Sequence, residues 1–289
     1  MDNTFPDLYA LVLRLTARTR GELPTSYGQL IQGLFMALIG DVDPDLGRAL
    51  HAGQQPRSYT LAGLRPSARP FGGGMTLRAG ERVALRVTLL HGDLFGPVAR
   101  TLMLQSTRPP LRLGSLELDL EEVIGTPGRD PLAGYTHWRQ LAEDARPDPT
   151  IILHFATPTA FSQGEDSEPG TDRHIPRMGL LPMPETLFKS LARRWNALAP
   201  ADLQLDLAHV AVAAERAVVS RYELRTTTHL LGRSTQVGFM GTCHYELRGD
   251  PDQRRLLNRL ADAAYYTGVG IKTARGMGFC HRPIGEVER

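Results

Sequence analysis

The chain has 289 residues, with 33 Lys and Arg against 31 Asp and Glu for a formal charge of +2, and is 42% hydrophobic and 22% charged. That length suits one large domain or two of ordinary size, and the composition is that of a soluble globular protein, not a disordered, fibrous or disulfide-framed one. No run reaches the roughly 18 apolar residues that span a bilayer, the N-terminal run MDNTFPDLYALVLRL lacks the basic start and cleavage site of a signal peptide, and Cys243 and Cys280 read as reduced thiols of a cytoplasmic protein.

Residues 7–16 alternate apolar and polar positions and predict a strand. Ser26 and Gln29 form a capping box for a helix that sets Ile31, Leu34, Phe35, Leu38 and Ile39 on one face. A short helical segment over 43–51 leads to His51. Strands over 58–64 and 82–91, a helix over 93–105 and a strand over 115–124 complete a β-α-β-β-α-β order, the ferredoxin-like arrangement. Composition then shifts to Gly, Pro and Asp over 125–149, with a short helix near Trp138. The domain boundary belongs there: an N-terminal domain over 1–130, a linker over 131–149 and a C-terminal domain over 150–289.

The order then repeats. A strand over 150–157 precedes a polar, acidic segment, QGEDSEPGTDRH, whose composition predicts a mobile loop. A helix over 184–198 and strand runs over 208–228 and 235–248 follow. The last helix starts at Asp250 with Pro251 in its first turn and carries Leu256, Leu257, Leu260 and Ala264 at helical spacing. It ends at Gly268, and a glycine-rich loop leads into a strand near Phe279. The class is α+β: two tandem ferredoxin-like (RRM-like) domains with a C-terminal glycine-rich loop.

That loop is the most specific feature. Gly268, Gly270, Gly276 and Gly278 lie among Lys272, Thr273 and Arg275. Glycine permits positive φ and close backbone approach, so successive amides can face a phosphate; the same pattern also serves a tight helix-to-strand turn. A Walker loop is excluded because Lys272 follows Ile271 and the loop follows a helix. A Rossmann fingerprint is excluded because its third glycine would be Thr273. Only Lys189 and Lys272 are lysines, and all other basic residues are arginines, which suit phosphate recognition but are also what a GC-rich genome produces. Cys243-His244 and Cys280-His281 lack zinc-ligand spacing, and neighbours on a strand point to opposite faces, so no metal site is expected.

The loop, preceded by Leu260-Ala-Asp262-Ala-Ala-Tyr265-Tyr266, closely resembles the C-terminal signature of the RAMP superfamily of CRISPR-associated proteins. Within that superfamily the chain looks most like the Cas6 endoribonucleases, which cut CRISPR precursor transcripts. Further segments resemble family landmarks in order: Leu23-Pro24 with Gln32-Gly33-Leu34, Asp43-Pro44-Asp45-Leu46-Gly47 through Leu50-His51, Phe155-Ala-Thr157-Pro158-Thr159, Leu181-Pro182-Met183-Pro184 and Gly238-Phe239-Met240-Gly241. The resemblance implies metal-independent, cofactor-free cleavage of CRISPR repeat RNA, single-stranded or hairpin, leaving a 2′,3′-cyclic phosphate and a 5′-hydroxyl. Other CRISPR effector subunits are further candidate partners; no membrane is implied.

Such cleavage needs a base, an acid and a cation at the phosphorus. His51 occupies the position of the family's catalytic histidine, and Arg57 lies where relatives often carry a lysine. Where some members have a first-helix tyrosine this chain has Met36, leaving Tyr27 or Tyr59 to fill that role. Without the resemblance, His51 reads as a helix cap or surface residue, and His91, His137, His154, His174, His209, His229, His244 and His281 as structural or surface. His229 keeps a small reserve because Arg225 and Arg233 flank it. Lys272, Arg275 and the loop glycines are expected RNA contacts. Arg221, Arg225 and Arg233 on the strand pair are favoured for the same role over Arg193 and Arg194, which read as a solvated helix face. Tyr265 and Tyr266 end the last helix; one of them reads as core, with base stacking as the lesser reading. The competing functions are a non-catalytic RAMP-type RNA-binding subunit and an unrelated enzyme on the same fold.

Overall fold

The computed structural model describes residues 5–23, 28–40, 43–52, 56–66, 75–104, 110–167, 174–231 and 234–283. The N-terminal half runs β1 (Leu8–Ala17), β2 (Gly21–Leu23), α1 (Gly28–Gly40), α2 (Pro44–Ala52), β3 (Tyr59–Pro66), β4 (Met75–Leu77), β5 (Arg82–Leu89), α3 (Phe95–Leu104), β6 (Leu111–Leu113), β7 (Leu116–Ile124), β8 (Gly134–Thr136) and α4 (Trp138–Glu143). The C-terminal half runs β9 (Thr150–Thr159), β10 (Phe161–Ser167), β11 (His174–Gly179), α5 (Pro184–Leu198), α6 (Leu207–Glu215), β12 (Ala217–Leu231), β13 (Ser234–Leu247), α7 (Pro251–Thr267) and β14 (Cys280–His281). Among the described residues, no helix is long and apolar enough to cross a membrane.

The two main sheets share one topology. The first is ordered β3-β5-β1-β7-β6 and the second β12-β13-β9-β14. Setting aside the short β6, each puts its first strand between its third and fourth, with the second at the edge and every neighbour antiparallel. That is the ferredoxin-like order, built twice.

Burial on both faces makes Leu8–Leu13 of β1 a continuous apolar run, so the alternation expected of this strand holds only from Arg14 to Ala17. Leu13 and Leu15 face a core shared with Phe35, Leu38 and Val87. Val12 faces the other way, into a seam with Ala62 and Ile124 from its own domain and Ala156, Met240 and Phe279 from the second. The second core centres on Phe188, Trp195 and Tyr245. Trp138 of α4 joins it, meeting Trp195 edge-on at 5.0 Å, while β8 pairs with β1 at Leu8–Ala10. The segment expected as a linker is thus held by both halves.

Arg86 of β5 bolts the seam. It is 2% exposed. Its Nε donates to Leu132 O at 2.9 Å and an Nη to Tyr265 O at 2.7 Å, and its guanidinium lies over the rings of Tyr265 and Phe279. Tyr266 is buried, and its carbonyl accepts from Thr88 Oγ1 at 2.9 Å. Both tyrosines therefore serve the domain contact.

Helix α7 follows its local signals: Asp250 caps it in a capping box with Gln253, Pro251 occupies its first turn, and Gly268 ends it at φ 63°. Two further expectations are corrected. Residues 208–215, expected to open the strand run over 208–228, lie instead in α6. Asp206 caps it through the amide of Ala208, and Val210, Ala213 and Ala214 bury one helical face, so packing against α5 and α7 overrides the β-like look of Val210 and Val212. The described ends of the expected acidic loop, residues 163–167 and His174, instead lie in paired strands β10 and β11, which run from Phe161 opposite Gly179 to Ser167 opposite His174; residues 168–173 lie outside the described residues, as does Ser26 of the expected capping box.

Candidate functional site

A cleft of about 850 Å³ opens between the domains. The N-terminal domain contributes Gln32 of α1 and Pro56 and Arg57 ahead of β3; the C-terminal domain contributes the start of β10, one side of α5 and loop residues Gly270–Arg275. The walls carry Arg57, Lys189, Arg193, Arg194, Lys272 and Arg275, with Glu185 the one acid among the lining residues. Both lysines of the chain are among them. A chain of nearly balanced charge therefore concentrates cations where an anionic ligand can enter.

The helical period delivers the α5 groups. Glu185, Lys189 and Arg193 form one i, i+4 column and Thr186, Ser190 and Arg194 the next, while Leu187, Phe188, Leu191, Ala192 and Trp195 bury the opposite side. Arg194 is not part of a solvated face. Its Nη groups donate to Thr267 O at 3.2 Å and Gly270 O at 2.8 Å, and burial of the head group lowers its pKa to about 10. It stays a cation near neutrality and braces the loop from below. Lys189, Ser190 and Gln32 are cleft residues that sequence reasoning missed as site residues; the i, i+4 polar columns of α5 were the available signal for the first two.

Gly268, Gly270, Gly276 and Gly278 all have positive φ, as does Lys272 at 57°. An added Cβ at Gly278 would overlap Val269 O, and one at Gly270 would overlap Ala160 O. At Gly268 it would lie 2.9 Å from Gly278 O. The close approach these glycines permit is to this chain's own backbone. Val269 N to Gly278 O (2.8 Å) closes the loop on itself, and Ile271 N to Ala160 O (3.0 Å) and Gly278 N to Pro158 O (2.9 Å) tie it to the end of β9. Lys272 Nζ donates to Gln236 Oε1 at 3.0 Å, and burial, then Arg275, lowers its pKa.

The loop also docks onto the other domain. Gly276 pairs with Ala62 in a parallel bridge, and Arg275 Nε donates to Gln32 Oε1 at 3.1 Å. The His229 ring lies 3.3 Å from Arg275 O, and both crowd the Cα of Gly28, where no Cβ would fit. His229 is 5% exposed, and burial lowers its pKa. It is a wedge between α1 and the loop, not an accessible base.

His51 stands exposed in the last turn of α2. Arg57 Nη1 donates to Leu50 O at 3.1 Å and also to His51 O, so a cleft-wall arginine caps the carbonyl end of the helix that carries His51. Tyr59 is fully buried, its Oη accepting from Gln32 Nε2 at 3.0 Å, and Met36 packs against the first core. Arg221 and Arg225 are exposed on β12, the edge strand, and are not among the residues lining the cleft. Tyr27 and Arg233 lie outside the described residues. Cys243 and Cys280 are buried, which raises the pKa of each thiol. Among the described residues no three His, Cys, Asp or Glu side chains form a metal-ligand group.

Comparison with known proteins gives this geometry a family. Residues 7–143 match the model of the CRISPR Cas6 N-terminal domain, and residues 153–280 match that of the CRISPR-associated endoribonuclease Cas6. A Cas6 (TTHB231) product complex is similar at 30% identity and a TM-score of 0.77, over 96% of this chain and 100% of that one. Thermus thermophilus Cas6 (TTHB231) matches at 28% identity with a TM-score of 0.69, and a Cas6 (TTHA0078) product complex at 27% with 0.70, each over 96% of this chain and 99% of the other. No curated protein sequence matches significantly. With both halves matched in order and the double ferredoxin-like fold shared end to end, this chain belongs to the Cas6 family of CRISPR-associated endoribonucleases.

Proposed function

We propose that this chain binds CRISPR repeat RNA in the interdomain cleft and cuts one phosphodiester by attack of the adjacent 2′-hydroxyl, with no metal ion taking part. The cleft carries the reading: Arg57, Lys189, Arg193, Arg194, Lys272 and Arg275 against Glu185 alone, on walls from both domains, form a counter-surface for a phosphate chain. Relatives of the same fold are known as product and substrate-mimic complexes, which supports RNA as the ligand.

In the reaction a 2′-oxygen bonds to phosphorus as its proton leaves to a base. The bond from phosphorus to the 5′-oxygen breaks, and that oxygen takes a proton from an acid. The products are a 2′,3′-cyclic phosphate and a 5′-hydroxyl. His51 is assigned a proton transfer, because imidazole titrates near neutrality and this one is solvent-accessible. Arg57, capping the carbonyls of Leu50 and His51, is assigned the phosphate charge beside it. Lys272 and Arg275 hold flanking phosphates. Gly268, Gly270, Gly276 and Gly278 shape the loop that presents these two cations. Arg221 and Arg225 extend RNA contact beyond the cleft, and Arg233 is assigned to RNA contact with them.

The test is single-turnover cleavage of a panel of CRISPR repeat RNAs in excess EDTA. One repeat should be cut at an unchanged rate, and a single 2′-deoxy substitution upstream of the scissile phosphate should abolish cutting but not binding. Activity lost in EDTA and restored by a divalent ion overturns the metal-free reading. Cutting of the 2′-deoxy substrate overturns 2′-attack.

A further inference from the structure

Gln32 has no part in the mechanism above, yet it is the α1 side chain in the cleft wall and it touches both domains. Its Oε1 accepts from Arg275 Nε at 3.1 Å, and its Nε2 donates to Tyr59 Oη at 3.0 Å. Chemistry fixes the orientation of this amide: a guanidinium Nε–H only donates, so the amide oxygen faces Arg275 and the nitrogen faces the phenol. Tyr59 is 0% exposed and packs its ring against Phe35 at 5.1 Å. The amide is therefore anchored to a side chain with no room to move.

The consequence falls on Arg275. Gripped at Nε, its guanidinium plane is set, and its two Nη groups make no hydrogen bond to other described residues. Its backbone is held too, through His229 against Arg275 O and the bridge of Gly276 to Ala62. Free arginine loses rotamer freedom when it meets a ligand, whereas this one has lost it on folding, so binding carries less of that penalty. A planar fork held in place suits the paired oxygens of a phosphodiester.

We propose that Gln32 is a positioning residue: anchored by Tyr59, it holds the Arg275 guanidinium so that the Nη pair meets a phosphate of the RNA two-pronged, and it makes this contact depend on the docking of the two domains. The proposal rests on the reading of Arg275 as a phosphate contact, and the experiment separates the two. Gln32→Met keeps side-chain length and helix propensity but loses both hydrogen bonds. Affinity is measured against salt concentration for wild type, Gln32→Met, Arg275→Ala and the double variant. The probe is the best-bound RNA of the repeat panel, carrying a 2′-deoxy group at the scissile position. Arg275→Ala should weaken binding roughly 10–100-fold, the worth of charge-assisted hydrogen bonds. Gln32→Met should weaken it about 3–10-fold, and the double variant should bind no worse than Arg275→Ala, because Gln32 acts only through Arg275. Tyr59→Phe, which removes the anchor alone, should give a smaller loss that also vanishes in the Arg275→Ala background.

A purely structural role would instead give losses that multiply in the double variant, and that result overturns the proposal. So does a normal affinity for Gln32→Met beside an impaired Arg275→Ala. Normal binding by Arg275→Ala removes the underlying phosphate reading, and the proposal with it. If Gln32→Met melts below the assay temperature, Gln32→Asn, too short to span both partners, takes its place in the same cycle.

Discussion

The four loop glycines allow a graded test of what the loop's backbone is for. Replace each by alanine. All four have positive φ, and an L-residue there costs about 1–2 kcal/mol. The surroundings then separate them. At Gly276 the new methyl meets the flexible Ile31 Cδ1 at 3.1 Å and the Gly28 Cα at an ordinary contact distance of 3.7 Å, so the φ penalty is nearly the whole effect. At Gly268 it meets Gly278 O at 2.9 Å and Thr273 Cγ2 at 3.0 Å, a contact that needs a small shift. At Gly270 and Gly278 it overlaps the carbonyls of Ala160 and Val269. Ala160 O accepts from Ile271 N, and Gly278 itself bonds to Val269 N and Pro158 O, so relief disrupts those bonds. Two weakened backbone bonds add about 1–3 kcal/mol, for a total of about 2–5 kcal/mol. At about 2–4 °C per kcal/mol, Gly278→Ala and Gly270→Ala should melt on the order of 10 °C low, Gly268→Ala less so, and Gly276→Ala only a few degrees low. The assay is thermal unfolding of the four variants, paired with RNA affinity measured well below every transition. A Gly278→Ala variant as stable as wild type, or a series with Gly276→Ala the worst, refutes the reasoning from close contacts. Affinity lost with melting unchanged shows that the glycines face RNA and not the chain.

His51→Ala should slow single-turnover cleavage by roughly 10²–10⁴-fold with RNA affinity nearly intact; a wild-type rate removes His51 from the chemistry, and an equal loss of binding makes it structural. Arg86→Met strips the donors from two buried carbonyls and empties the space over Tyr265 and Phe279. Chemical denaturation should show a loss of about 2–4 kcal/mol, the lost bonds being partly offset by a charge no longer buried; an unchanged midpoint means the seam does not depend on it. Burial lowers the pKa of both His154 and His229, so the unfolded chain takes up protons that the folded one refuses. Stability from these groups is complete above the ordinary histidine pKa, about 6.5, and falls as pH drops below it. Melting curves should show this decline and its flattening in His154→Gln/His229→Gln; an identical slope in that variant assigns the decline to other groups.

Local chemistry was enough for the parts of this fold whose determinants lie a few residues apart. Asp250, Pro251 and Gly268 mark the ends of α7, the apolar spacing of α1 and α7 marks their buried sides, and the positive φ of the loop glycines is implicit in their being glycine. With the landmark segments, these features led to the family. Elements defined by backbone pairing with distant partners were less legible. Side-chain pattern did not reveal β10 and β11, whose polar residues are strands only because their amides and carbonyls bond to each other. Residues 207–215 took their helical form from burial against α5 and α7. The target of the glycines' close approach was equally hidden, because Ala160 and Pro158 precede the loop by more than a hundred residues. The cleft shows the division most plainly. Arg57, Lys189 to Arg194, and Lys272 with Arg275 are far apart in the chain and sit in a sequence of nearly balanced charge. Capping, φ and periodicity act over a turn or two of chain and are written locally, whereas electrostatic potential and cleft shape are sums through space, which exist only once the two domains have closed against each other.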